Sequence, residues 1–591
     1  MRIRTSLLFL GLLAFVWPVW AEEIEGVEVT VEPLDQLNQS FHGYVEYRIR
    51  LRNLSPSDDR RVSLVYPRHS WSSGNCIQHL RKTVVLRADT EVVVSLFQPP
   101  LEMHGDDQLG VTVRGEEIGV HMSTQRHGLL SWHSSRVYPC MLYSRGMSSD
   151  IDQSIKDLYA SPQNSSRSSS SRSYSPGTTQ YELKRSEIDV EQWSDHWLGY
   201  SCFDAVFMSG REFQTAPNRV VDAISRYVEC GGSLVIGGPW QVPKTWQDSK
   251  QTLDGMVCYY AGLGVCYHLS STDPQQWPAS AWKQMQRSWN SGAQGLTFMA
   301  TPERANESFP VIENLAIPAR GIFLLMLVFA VLIGPLNLLF FSKKGQRMRL
   351  FWTVPLVSLL TSGLVFGYSL LSEGVTGKVR LAGITWLDQR SHHAVTLGTL
   401  GYYCPLTPGG GLHFDQQTEV TPQVARNNYR SPSRLFTLNW SDRQELDSGW
   451  VTARVPSHLN IRRHETRRER LVVRQDTEGK LFATNGLGAD IKELWVVNRD
   501  GRMYQAEQLI EGQTVPLKLQ EQTYSTAPAG CLHQLYSRSW LQSIEGFTKT
   551  PQQVLRPGMY LAVMSEQPFL EPGQDSFRVM KNEGLVIGIL D

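Results

Sequence analysis

The sequence predicts a multidomain α+β membrane protein: a β-sandwich, an α/β domain, two transmembrane helices and a C-terminal β-rich domain. Three observations lead there. Residues 321–341 and 350–371 are uncharged apolar stretches of 21 and 22 residues, each long enough for a helix across about 30 Å of hydrocarbon. The chain on either side alternates apolar and polar residues with the period of two that marks half-buried strands. Between residues 136 and 300, strand patterns alternate with helical ones, which points to a parallel sheet.

Composition sets the outer bounds. The chain has 591 residues, with 57 Lys+Arg against 57 Asp+Glu and hence no formal net charge. A nucleic-acid binder needs a surplus of cations to displace counterions, so no nucleic-acid partner is expected. With 41% hydrophobic and 19% charged residues, the chain can bury a core and is not disordered throughout. Eight cysteines are too sparse for a disulfide scaffold.

The elements follow in order. Arg2 and Arg4 precede an apolar run of 11 residues, 7–17, and Val19-Trp20-Ala21 places small residues before Glu22. Residues 1–21 therefore read as a secretory signal peptide. Residues 22–130 read as an immunoglobulin-like β-sandwich, with strands at 27–31, 44–51, 62–66, 83–86, 91–97 and 110–114. Residues 136–300 read as the α/β domain. It has strands at 137–143, 181–188, 203–208 and 233–236, and helices at 151–158, 219–229 and 279–289. It is interrupted by the Ser-rich insertion 161–176, with nine Ser in sixteen residues. Gly231-Gly232 caps the second helix.

The apolar pair reads as a helical hairpin, transmembrane helix 1 at 321–341 and transmembrane helix 2 at 350–371. The loop 342–349 carries Lys343, Lys344, Arg347 and Arg349 and no acid, which places it in the cytoplasm by the positive-inside rule. The signal peptide agrees, exporting the chain on both sides of the hairpin. The expected location is the bacterial inner membrane, two-pass, with the N- and C-terminal domains periplasmic. Pro335 should kink the first helix. Asn337, Ser358, Ser362, Gly363 and Gly367 are the polar and small residues through which the helices would pack on each other or on a partner. No charge lies within either span, so a transporter acting alone is excluded. Residues 375–530 return to β, with strands at 379–386, 434–438, 450–455, 470–473 and 493–497. A C-terminal α/β tail fills 531–591, with strands at 559–564 and 584–590.

Chemistry-bearing residues are few. Cys258 and Cys266 flank a Gly-Leu-Gly turn and, in an oxidising compartment, are the candidate disulfide. No CxxC occurs, and His121, His127 and His133 have neither helical nor zinc spacing, so no metal site is expected. His392 and His393 are adjacent and would face opposite sides of a strand. The run from Arg462 to Arg470 interleaves Arg with Glu465 and Glu469 and reads as a solvated strand rather than a lipid or acidic-partner surface.

The run Phe203-Asp204-Ala205-Val206-Phe207-Met208-Ser209-Gly210, a helix, and then Tyr227-Val228-Glu229-Cys230-Gly231-Gly232-Ser233-Leu234-Val235-Ile236-Gly237-Gly238 resembles the class I glutamine amidotransferase-like fold. More narrowly, it resembles the degenerate form in bacterial two-pass membrane proteins found beside ABC-type transporters, including gliding-motility auxiliary components. The motifs Ile333-Gly334-Pro335-Leu336-Asn337 and Arg349-Leu350-Phe351-Trp352-Thr353-Val354-Pro355 are similar to the same group. Such an enzyme needs a nucleophile on the strand-to-helix turn with a His base. Here that position is Gly237-Gly238, without Cys or Ser. The expectation is therefore a non-catalytic binding or scaffold protein without a cofactor. Its expected partners are the lipid bilayer and an ABC-type permease, in an export or envelope system. The alternative is a hydrolase or amidotransferase relative with a displaced nucleophile, Cys202, Ser209 or Cys230, served by His196 or His268.

Overall fold

The computed structural model describes residues 21–32, 42–71, 75–122, 139–160, 181–253, 255–296, 301–312, 319–336, 339, 350–373, 376–424, 434–520, 527–528, 530–533, 535 and 546–591. Residues 1–20 of the predicted signal segment, the Ser-rich insertion, Asn337, His127, His133 and the loop with Lys343, Lys344, Arg347 and Arg349 lie outside them. Among the described residues, strand outnumbers helix roughly two to one, and the strands form five sheets. The serial arrangement predicted from the sequence gives way to sheets that draw strands from distant stretches of chain.

The first is a four-stranded antiparallel sheet of Ala21–Ile24, Val27–Val31, Val45–Asn53 and Glu91–Gln98. Its alternating burial, as in Val27, Val29 and Val31, follows from strand periodicity. Facing it is an eight-stranded sheet. There the strand Cys76–Leu86 pairs antiparallel with Arg60–Tyr66 and parallel with Leu435–Asn439. The expected self-contained sandwich over 22–130 is thus corrected, since three of the eight strands of its second sheet come from residues 412–446. Period-two patterning tells which face of a strand is buried and is silent on the partner strand.

The second region is a seven-stranded sheet in the spatial order Glu182–Arg185, Cys140–Tyr143, Ala205–Ser209, Ser233–Gly237, Gly264–Leu269, Met256–Ala261 and Lys250–Leu253. The first five run parallel; Met256–Ala261 runs against them, and Lys250–Leu253, antiparallel to that strand, returns to the first direction. One face packs on the helices Asp150–Ala160 and Ala279–Leu296 through Ile151, Ile155, Trp282, Met285 and Trp289. The other packs on helix Asn218–Glu229, whose Val220, Ala223, Ile224, Tyr227 and Val228 are buried. That helix lies in a core continuous with Val395, Leu397 and Ile461 of a nine-stranded sheet.

The nine-stranded sheet is antiparallel except where Lys378–Asp388 runs parallel to Arg578–Ile589. Strand Lys378–Asp388 also pairs with His393–Tyr403, and that in turn with Ser457–Thr466. Its far face packs on a three-stranded sheet through Leu471, Ala483 and Leu494. The predicted strand at 450–455 is irregular chain with isolated bridges, because Gly449 and Arg454 take left-handed φ values of 83° and 61° that break a ladder.

The two-helix membrane hairpin is also corrected. Among the described residues no helix is long and apolar enough to cross a membrane. The first apolar stretch forms the helix Ala319–Val331, which at 1.5 Å per residue spans roughly 20 Å. It then passes into a π-helical turn, Leu332–Leu336, holding Pro335, where the missing N–H and the ring force the ladder out of register. The second forms the helix Leu350–Glu373, in which Thr353, Pro355, Ser358, Thr361 and Ser362 interrupt the apolar run. A Cβ at Gly363 or Gly367 would meet nothing within 4 Å, so that small-residue face has no close neighbour among the described residues. Both helices expose large apolar side chains, among them Phe323, Leu324, Phe351, Trp352, Leu359 and Leu364. The two-pass inner-membrane placement falls with the hairpin.

Candidate functional site

The helix Asn218–Glu229 ends where the chain can turn without strain. Gly231 takes φ +108°; its N–H donates to the Val228 carbonyl at 2.8 Å, and the Gly232 N–H to that of Tyr227 at 3.0 Å. This is a glycine C-terminal cap. Gly262, at φ +58°, carries the tight turn between Met256–Ala261 and Gly264–Leu269 against it. A Cβ at Gly262 would lie 2.5 Å from the Glu229 carbonyl oxygen, so only glycine permits this approach. The helix end is thereby pinned, with the Glu229 carboxylate meeting the nine-stranded sheet.

Two histidines meet it there. In the antiparallel pair His393–Tyr403 and Ser457–Thr466, His393 stands opposite Thr466 and Val395 opposite His464. His393 and His464 are therefore diagonal neighbours on one face, and their rings pack edge to face with centroids 4.9 Å apart. Glu229 Oε2 accepts from His393 Nδ1 at 3.0 Å and from His464 Nε2 at 2.7 Å. Burial alone would raise the Glu229 carboxyl; the hydrogen bonds and charge of the two imidazoles outweigh it and hold it at about 2. The Glu229 hydrogen bond raises His393, whereas burial lowers His464. His393, the ring with access to solvent, is thus the more readily protonated of the two.

Glu229 and His393 form one wall of a cleft of about 530 Å³. Arg390, Arg499, Arg556 and His533 line it further. Arg390 is spoken for: its Nη2 donates to Asp388 Oδ2 at 2.8 Å and its Nη1 to Asp248 Oδ2 at 2.7 Å. Arg556 differs. It makes no ion pair among the described residues, and its Nε is buried without a hydrogen-bond partner. Burial lowers its guanidinium from the ordinary value; Cys531 opposes this, and Arg390 adds a smaller lowering.

The residues singled out in the sequence are not brought together. Ser209 is the N-cap of helix Gly210–Thr215: its Oγ accepts from the Glu212 N–H at 3.2 Å and its backbone N–H donates to Glu212 Oε2 at 3.0 Å, closing a capping box. Cys202 and Cys230 are buried, and burial pushes both thiols well up, the reverse of what a nucleophile needs. His268 Nε2 lies 2.9 Å from the Gly238 carbonyl, and His196 packs on Phe97 with centroids 4.8 Å apart, so neither serves Ser209. The Cys258–Cys266 disulfide is corrected by register. Cys258 stands opposite Tyr267 and Cys266 opposite Tyr259, which puts the two sulfurs on opposite faces of the sheet, in different cores. His121 is exposed.

Sequence reasoning missed the trio itself. His392 sits in a turn with φ 59°, leaving His393 to open its strand. His464 lies in the arginine-rich run read as solvated, yet Arg462 and His464 are both buried. Arg462 Nε donates to Glu419 Oε2 at 3.0 Å and its Nη1 to the Cys230 carbonyl at 3.3 Å. The available signal was parity: Arg462 and His464 are two apart and share one face of the strand with His458, which is also buried.

No protein family matches the chain, and no curated protein does. Among solved structures it is similar to beta-glucosidase from Kluyveromyces marxianus, in a Se-Met labelled form and in complex with glucose, at 9% and 8% identity. Each match covers 80% of this chain and 45% of that one, with a TM-score of 0.09. The chain thus spans less than half of those proteins, and a likeness at that level carries no argument about fold or activity. No match supports the transporter or amidotransferase readings, which are set aside.

Proposed function

We propose that the protein is a non-catalytic binding scaffold whose ligand site is the cleft beside Glu229 and His393, and that the ligand bears an anionic group. The observation that supports this is Arg556. A guanidinium that lines a cleft beside a second arginine, with a buried donor unused, lacks its natural counter-charge. A carboxylate or phosphate entering the cleft would supply it, and Arg presents the planar fork suited to such groups. The absence of catalysis is supported by the uses already found for the candidate nucleophiles: Ser209 caps a helix, and Cys202 and Cys230 sit as buried, protonated thiols.

The test is calorimetric titration of the purified full chain with inorganic phosphate and with citrate. Saturable binding that Arg556→Gln weakens at least tenfold, with the fold intact by circular dichroism, is expected. Equal binding by the variant and the wild type would refute the site. Labelling of Ser209, Cys202 or Cys230 by a nucleophile-directed activity probe would refute the non-catalytic reading.

A further inference from the structure

We propose that Glu229 Oε2, His393 Nδ1 and His464 Nε2 form a binding site for a divalent transition-metal ion of the zinc class, at the wall of the cleft. The inference goes beyond the anion site and rests on different residues. Three donor atoms from three separate chain segments converge within 4.8 Å of one another. Two imidazole nitrogens and one carboxylate oxygen are the donor set that borderline cations such as Zn²⁺, Co²⁺ and Ni²⁺ prefer over Mg²⁺ or Ca²⁺.

The spacing fits. Donors bound at about 2.1 Å around one centre stand roughly 3.0–3.4 Å from each other, and Glu229 Oε2 already lies 2.7 Å and 3.0 Å from the two nitrogens. Small outward rotations of the rings would admit an ion in place of the two shared protons. Access exists on one side, because Glu229 and His393 line the cleft while His464 is sealed beneath them. Three protein donors and an open side leave a coordination position for a solvent molecule or a ligand.

The backbone supports the arrangement rigidly. His393 and His464 are fixed by ladder register, and Glu229 by the glycine cap and the Gly262 turn. An ion bound at His464 Nε2 requires the tautomer of that ring that carries its proton on Nδ1. The cost falls on His464. Its Nδ1 is buried with no hydrogen-bond partner, whereas metal-bound histidines ordinarily donate that second N–H. The affinity should therefore be roughly 10- to 100-fold below that of a site with a complete outer shell.

The experiment uses the full chain, stripped with EDTA and titrated with Co²⁺ while its visible absorption is recorded, then with Zn²⁺ in competition. The expected result is one equivalent bound per chain, a ligand-field spectrum of a site with nitrogen donors, and displacement by Zn²⁺. His393→Ala removes the most exposed member of the trio and should fold; it should lose the spectrum. Glu229→Gln should weaken uptake at least tenfold, and Arg556→Gln should leave it unchanged, which separates this site from the anion site. A folded wild-type chain that takes up no Co²⁺, or a His393→Ala chain that takes it up as well as wild type, would show the trio to be a hydrogen-bonded strut and overturn the proposal.

Discussion

The Gln444 side-chain amide donates a 2.7 Å hydrogen bond to the Tyr44 hydroxyl across 400 positions of sequence. The same hydroxyl donates to the Val420 carbonyl at 3.0 Å and accepts from the Val420 N–H at 2.8 Å. Tyr44 is fully buried and packs edge-on against Trp440, with centroids 6.0 Å apart. One phenol therefore ties the first β region to two strands of the last. Tyr44→Phe keeps the ring and strands two buried donors, each costing about 1–3 kcal/mol when unsatisfied. A fall of roughly 2–4 kcal/mol in unfolding free energy is expected from urea denaturation. A loss below about 0.5 kcal/mol would mean that water replaces the hydroxyl.

Arg462 and Glu419 form an ion pair almost closed to solvent on both sides, with exposures of 4% and 5%. Removing one partner leaves the other charge buried. Arg462→Met alone should cost about 3–5 kcal/mol, whereas Arg462→Met combined with Glu419→Leu should recover much of that loss. A double-mutant cycle by chemical denaturation checks it. Additive losses would show that the pair is better hydrated than its burial indicates.

His196 sets an acid sensitivity. Burial first, then Lys82 and Arg226, lower its pKa from 6.5 to about 3. Between those values the unfolded chain binds a proton that the folded chain refuses. Stability is thus complete above about pH 6.5 and is lost as the pH falls toward 3. Between pH 7 and pH 4.5 the loss from this ring should be about 2–3 kcal/mol. His196→Asn keeps an acceptor for the Leu198 N–H and should flatten the pH profile by that amount. Parallel profiles for the two proteins would exclude the ring as the cause.

Glu212 holds more than its own helix. Its carboxylate accepts from the Ser209 N–H at 3.0 Å, the Ser144 hydroxyl at 2.6 Å and the Gly146 N–H at 2.8 Å. Ser209→Ala should cost about 1 kcal/mol, the usual value of an N-cap. Glu212→Ala should cost about 2–4 kcal/mol, because it orphans several donors at once. Thermal melts should rank the two in that order, and neither variant should change phosphate or cobalt binding.

Local structure was legible where local chemistry decides it. The predicted strands at 27–31 and 559–564 coincide with Val27–Val31 and Met559–Met564. The predicted helix at 219–229 differs from Asn218–Glu229 by one residue. Partner choice was not legible. Nothing in Cys76–Leu86 announces Leu435–Asn439 as its neighbour, because alternation encodes a face and not an identity. The apolar stretches misled for a related reason. Hydropathy averages over a window and overlooks the place where Gly334 and Pro335 end regular α-helix. The trio was hidden twice over. His393 and His464 meet only through strand register, and Glu229 joins them only through a helix end that two glycines fix.

The parallel seam between Cys76–Leu86 and Leu435–Asn439 also constrains biogenesis. Its flanking contact, the Arg434 N–H to Asn75 Oδ1, bridges 359 positions. At roughly 5–20 residues per second, a ribosome needs about 20–70 s to deliver the later strand after the earlier one. For that interval the nascent chain carries a naked ribbon edge, the kind of surface that recruits other chains. A holdase covering that edge, or post-translational closure, is what this architecture asks of the cell.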